Sequence, residues 1–200
     1  MTLELMLACA AFAFVTSVTP GPNNIMLLAS GVNFGVRRTL PHVLGISTGM
    51  IILLLSVGLG LSQLFLLYPA LYSVLQIAGS AYLLYLAWKI ATAGAPDPDA
   101  VSRSKPFSFI QAAAFQWVNP KAWVMALGAI TTFVPQQNFV YNMLVVAGLF
   151  ALINGPSCSL WAIAGSLLRR ALQSPRTLRL FNGGMAILLV LSLYPILLRP

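Results

Sequence analysis

Thr19-Pro20-Gly21-Pro22-Asn23-Asn24 and Asn119-Pro120-Lys121-Ala122-Trp123 lie inside two apolar runs, half a chain apart. Proline lacks an N–H and clashes with the turn before it, so each motif predicts a break in its helix. Amides and a lysine at bilayer depth are costly and survive where they line a cavity instead of facing lipid. Two such breaks in matching halves mark the binding site of a transporter.

The surrounding composition sets the medium. Of 200 residues, 59% are hydrophobic and 7% are charged, and mean hydropathy is +0.89. A soluble domain has about 25% charged residues. The expectation is an all-α integral membrane protein of six spans, at about 20 residues or more each. The apolar segments run over 3–30, 39–66, 71–91, 107–133, 140–168 and 178–198. Met1 to Val18 lacks the basic start of a signal peptide and reads as a retained span.

The net charge of +8 sets eleven Lys and Arg against Glu4, Asp97 and Asp99. The cations cluster in short loops beside apolar runs, which excludes nucleic acid as the partner and points to orientation and lipid contact. Arg37 and Arg38 follow span one, Lys89, Arg103 and Lys105 flank the third connection, and Arg169, Arg170, Arg176 and Arg179 follow span five. The loops near Tyr68-Pro69-Ala70 and Pro135-Gln136-Gln137-Asn138 have none. The positive-inside rule makes the basic loops cytoplasmic and places both termini outside.

The chain reads as one transporter domain in three parts. Residues 1–91 form a first three-helix half, 92–106 a cytoplasmic linker rich in proline and small residues, and 107–200 a second half. Three spans per half force opposite orientations, so a repeat must be inverted. Val18-Thr19-Pro20 and Val118-Asn119-Pro120 carry that repeat. Glu4 and Arg37 bracket the first broken span and Lys105 and Pro135 the fourth, with midpoints at Pro20 and Pro120. Both breaks therefore fall near the bilayer centre.

The candidate substrate-binding residues follow: Pro20, Gly21, Pro22, Asn23, Asn24, Asn119, Pro120, Lys121 and Asn154. The prolines free carbonyls near Ser17 and Val18 for a ligand or water. The half-helix beginning at Pro22 aims its N-terminus at a carboxylate. Lys121 is the basic residue well inside a span, with no Asp or Glu at that depth. It reads as a carboxylate ligand or a proton carrier, against a snorkelling alternative that its central position weakens. Asn154-Gly155-Pro156 reads as a third polar break, with a packing role equally weighted. Ser47 and Thr48 read as packing hydroxyls that reach inward, and Gly31-x-x-x-Gly35 and Gly45-x-x-x-Gly49 as close helix contacts. His42, at the cytoplasmic end of span two, reads as an incidental interfacial histidine.

Other chemistries lack their residues. No nucleotide-binding loop, metal cluster or paired carboxylates occur, so neither a cofactor nor an enzyme activity is expected. Cys9 and Cys158 lie in apolar sequence and read as core residues.

Pro20-Gly21-Pro22-Asn23 and Asn119-Pro120-Lys121-Ala122, with six spans and the charged linker, give a chain that resembles the LysE/RhtB family of bacterial amino-acid exporters along essentially its whole length. The resemblance implies proton-driven antiport of amino acids or their derivatives across the inner membrane, by alternating access of the two halves. It carries over Pro20, Gly21, Pro22, Asn23, Asn119, Pro120 and Lys121 by position. The expected partners are an amino-acid substrate, protons and membrane lipid, and the small size is compatible with a homodimer. Few fixed charges favour neutral zwitterions over dibasic substrates. The alternative reading is a membrane-embedded binding or regulatory subunit that transports nothing.

Overall fold

The structure, a computed structural model, describes residues 1–61, 63, 67–93, 106–169, 171–172 and 174–192. All its regular elements among these residues are helical. Most of the linker 92–106, with Asp97 and Asp99, and the last residues of span six lie outside the described residues, so the linker reading keeps only its two ends here.

The seven α-helices are α1 (Leu3–Val18), α2 (Pro22–Ser56), α3 (Pro69–Ala91), α4 (Phe109–Gln116), α5 (Pro120–Phe133), α6 (Phe139–Leu168) and α7 (Pro175–Leu191). A π-helical turn, Val57–Leu61, extends α2. Their starts follow capping chemistry. Thr2, Ser108, Asn119 and Ser174 accept backbone N–H groups at four helix N-termini. Pro22, Pro69, Pro120 and Pro175 open their helices, where a missing N–H costs nothing.

Both proline motifs interrupt the chain. Residues 19–21 separate α1 from α2, and residues 117–119 separate α4 from α5. Two other expectations need correction. Asn154-Gly155-Pro156 does not break α6, which stays helical through Pro156. Gly35 makes no close backbone contact, since the nearest atom to a Cβ there would be Arg169 Nη1 at 3.7 Å. It stands at φ 76° and ψ 168°, a conformation that side chains rarely adopt, and divides α2 into arms 22–34 and 36–56.

Gly31 does make a close contact. A Cβ there would lie 2.2 Å from the Ala162 carbonyl oxygen, and one on Gly165 would lie 2.2 Å from that of Leu28. Backbone therefore meets backbone between the first arm of α2 and α6. Gly45 and Gly49 bring the second arm equally close to Phe109 and Ala113 of α4.

Two apolar cores hold the bundle. One gathers Cys9 and Ala13 of α1, Met50 and Leu53 of α2, Met125 and Ala126 of α5, and Val146 and Phe150 of α6. The other joins Met26, Leu83, Leu86, Phe115 and Leu189, packing α3 against α7. Phe12 stacks near Phe133, with centroids 5.4 Å apart, whereas Phe14 faces outward.

The outer surface is also apolar. Leu59, Leu152 and Leu180 are 74–77% exposed, along with many other large aliphatic side chains. A water-facing monomer does not carry apolar exposure on this scale. Two helical stretches, Pro22–Leu61 and Phe139–Leu168, are long and apolar enough to cross a bilayer.

The glycine contact generates a test. Gly165→Val drives a side chain into the Leu28 carbonyl and lowers stability by about 2 kcal/mol or more. The apparent Tm of purified protein, followed by loss of the monodisperse chromatographic peak, should fall.

Candidate functional site

The first break leaves helix-end carbonyls without their usual donors, because Pro20 and Pro22 have no N–H. Three side chains supply replacements. Asn24 Nδ2 donates to the Ser17 and Thr19 carbonyls at 2.9 and 2.8 Å. Trp161 Nε1, from α6, donates to the Val18 carbonyl at 3.1 Å. Lys121 Nζ, from α5, donates to the Thr19 carbonyl. The expectation that these carbonyls stand open for a ligand is thus corrected: in this conformation the protein's own donors occupy them.

The second break is built alike. Asn119 Oδ1 accepts the Lys121 N–H at 3.1 Å and starts α5. Trp123 Nε1 donates to the Trp117 carbonyl at 2.8 Å. Each break therefore has an indole on a freed carbonyl.

A reciprocal amide pair ties the breaks together. Asn23 Nδ2 donates to Gln116 Oε1 at 2.8 Å, and Gln116 Nε2 donates back to Asn23 Oδ1 at 3.1 Å. Gln116 is fully buried. Asn154 reaches in from α6, donating to Ser17 Oγ at 3.1 Å and accepting from Ser47 Oγ at 3.3 Å.

These groups surround a cavity of about 20 Å³, room for about one water molecule. Gly21, Asn23, Asn24, Asn119, Lys121 and Asn154 line it. Gly21 leaves the space filled by the Lys121 side chain, since a Cβ would lie 2.8 Å from Lys121 Cδ. Pro20, Pro22 and Pro120 do not line it. Pro20 is exposed, and the other two shape the helix starts.

Ser17, Gln116, Met125 and Cys158 also line the cavity. Gln116 is the functional candidate that the motifs missed. Its signal was present: an amide in an apolar run, one turn before Asn119. His42 also differs from expectation. It is fully buried, with Nδ1 3.3 Å from Ser30 Oγ.

The electrostatics suit a zwitterion. The N-terminal ends of α2 and α5 and the Lys121 ammonium favour a carboxylate. The C-terminal ends of α1 and α4 and the amide oxygens favour an ammonium. No Asp or Glu lines the cavity.

Similarity to known proteins agrees with this chemistry. The LysE type translocator family model matches residues 14–192. A protein of Escherichia coli strain K12 named cysteine/O-acetylserine efflux protein is 37% identical over 192 residues, covering 95% of this chain and 96% of its own. A Salmonella typhimurium protein of the same name is 38% identical over 175 residues, covering 86% and 88%. No solved structure matches.

The amide pair makes a quantitative prediction. Gln116→Leu alone strands the Asn23 amide, and the double variant with Asn23→Leu removes both polar groups. A double-mutant cycle on apparent stability should return a coupling of about 1 kcal/mol. Additive effects would mean that the pair contributes nothing jointly.

Proposed function

The chain belongs to the LysE type translocator family, and on that premise we propose that it exports small neutral amino acids and their derivatives across the bacterial inner membrane. It is a membrane transporter of an amino-acid efflux family and not an enzyme. Cysteine and O-acetylserine, named for its relatives, are the first substrates to assay. The observation that carries the proposal is the convergence of four helix ends, five amides and Lys121 on one cavity with no acidic residue. Such a site matches a zwitterion and offers a dibasic side chain no countercharge.

We read α1 with the first arm of α2 as one broken span, and α4 with α5 as another. The second arm of α2, α3, α6 and α7 complete two inverted three-helix halves. The first arm of α2 packs on α6 as the second arm packs on α4, so span one meets span five as span four meets span two, and α3 packs on α7; this reciprocity supports the reading. We read both termini as outside, a reading that the basic loops support.

The size of the central cavity supports alternating access. A space for one water holds no amino acid, so the two breaks must part to admit one. Lys121 belongs to the second break and holds a carbonyl of the first. An arriving carboxylate competes for that ammonium and loosens the tie between the halves. Asn23, Asn24, Asn119 and Asn154 then offer oxygens to the substrate ammonium. Pro20, Gly21, Pro22 and Pro120 keep the backbone open around it. Proton antiport supplies the drive in this scheme, with Lys121, His42, bound water or the substrate as carrier.

Counterflow in proteoliposomes tests the proposal. Labelled O-acetylserine should exchange through the wild type, and Lys121→Ala should slow exchange at least about tenfold while remaining inserted and monodisperse. Undiminished exchange in that variant would remove Lys121 from the site. Preferential movement of lysine or arginine would overturn the substrate class.

A further inference from the structure

The first arm of α2 carries polar groups at both ends. Asn23 and Asn24 stand at the central cavity, and Ser30 and Asn33 stand roughly 9–14 Å further along the same helix. There they line a second cavity of about 340 Å³, at the lower end of the roughly 300–1,000 Å³ typical of small-molecule sites. The central cavity is closed to an amino acid, whereas this one has room for it.

Among the described residues, one cation lines the second cavity. Lys89, in the last turn of α3, lines it with its ammonium 4.5 Å from the centroid of the Phe107 ring. No carboxylate pairs with Lys89 among the described residues. The ring holds the ammonium in place without neutralising it. Thr92 and the exposed Trp88 form the outer rim. Behind Ser30 lies His42, whose ring sits 5.0 Å from Phe107 and whose Nε2 is buried without a hydrogen-bond partner. The inner wall is polar, with Asn33 held in a reciprocal amide pair with Asn182 and the unpartnered His42 nitrogen lying behind Ser30, while the rim carries Trp88 and Tyr85.

We propose that this second cavity is a vestibule that receives a small zwitterionic amino acid before the central cluster opens, with Lys89 holding its carboxylate. The proposal rests on the exporter reading above and adds a second site to it. Lys89 lies on the basic, cytoplasmic side under the positive-inside assignment, which is where an exported solute arrives. The substrate ammonium faces the Ser30 hydroxyl and the aromatic rim. From there the first arm of α2 leads to Asn24. Lys89 captures substrate and Lys121 commits it, so the two lysines should fail differently.

Two measurements on the full-length protein in proteoliposomes test the vestibule. First, Lys89→Gln should raise the O-acetylserine concentration giving half-maximal exchange about tenfold, with the maximal rate within about twofold of wild type. Lys89→Arg should restore most of that loss. Second, Thr92→Cys should react with a membrane-impermeant maleimide, and saturating O-acetylserine should slow the reaction. The natural Cys9 and Cys158 are buried, and wild type gives the background. Unchanged half-saturation together with unprotected labelling, in a preparation whose wild type exchanges normally, overturns the vestibule alone. Absence of wild-type exchange for every amino acid overturns the exporter reading, and the vestibule with it. Protection by anionic phospholipid but not by O-acetylserine reassigns Lys89 to a lipid headgroup and also overturns the proposal.

Discussion

A helix end inside an apolar bundle must find hydrogen-bond partners, because neither lipid nor apolar side chains can supply them. That demand falls here on residues 17–19, from buried Ser17 to exposed Thr19. Pro20 and Pro22 open the backbone, and Asn24, Trp161 and Lys121 close it with donors from three different helices. The same residues that satisfy the break pull α2, α5 and α6 together. A local defect in one helix thus becomes a point where three helices meet, surrounded by amides and Lys121.

The glycine contacts explain how the centre is kept small. Gly31 with Gly165 lets the first arm of α2 touch α6 backbone to backbone, and Gly45 with Gly49 does the same between the second arm and α4. Gly35 turns the chain between those two contacts. Tightly seated elements on both sides of a glycine joint allow rigid pieces to rotate without breaking their own packing.

The sequence showed the breaks, the membrane setting and most of the polar cluster, because proline and buried amides leave local signatures. Its reading of purpose was less complete. Nothing in Ser17 or Val18 says which side chain will reach their carbonyls, since Trp161 lies more than one hundred residues away. Gln116 carried no motif, and its importance comes from Asn23 across the bundle. Asn154-Gly155-Pro156 looked like the two true breaks. However, α6 stays helical through Pro156. Gly35 was misread because the spacing of a packing motif and the requirement for positive φ look identical in one dimension. His42 was placed at the interface from its neighbours in sequence, whereas Ser30 and Phe107 enclose it.

The dependence of the first break on α6 also bears on how the protein is made. Chains enter the membrane from the N-terminus as they are synthesised. When α1 and α2 emerge from the ribosome, Asn24 is already present to hold Ser17 and Thr19 and to reach Val18 at 3.4 Å, but Trp161 and Asn154 have not been translated. The Val18 carbonyl must wait for its indole until most of the polypeptide exists. Biogenesis therefore cannot complete the oldest part of the chain first. The first break gains its last donors only when α6 has been made.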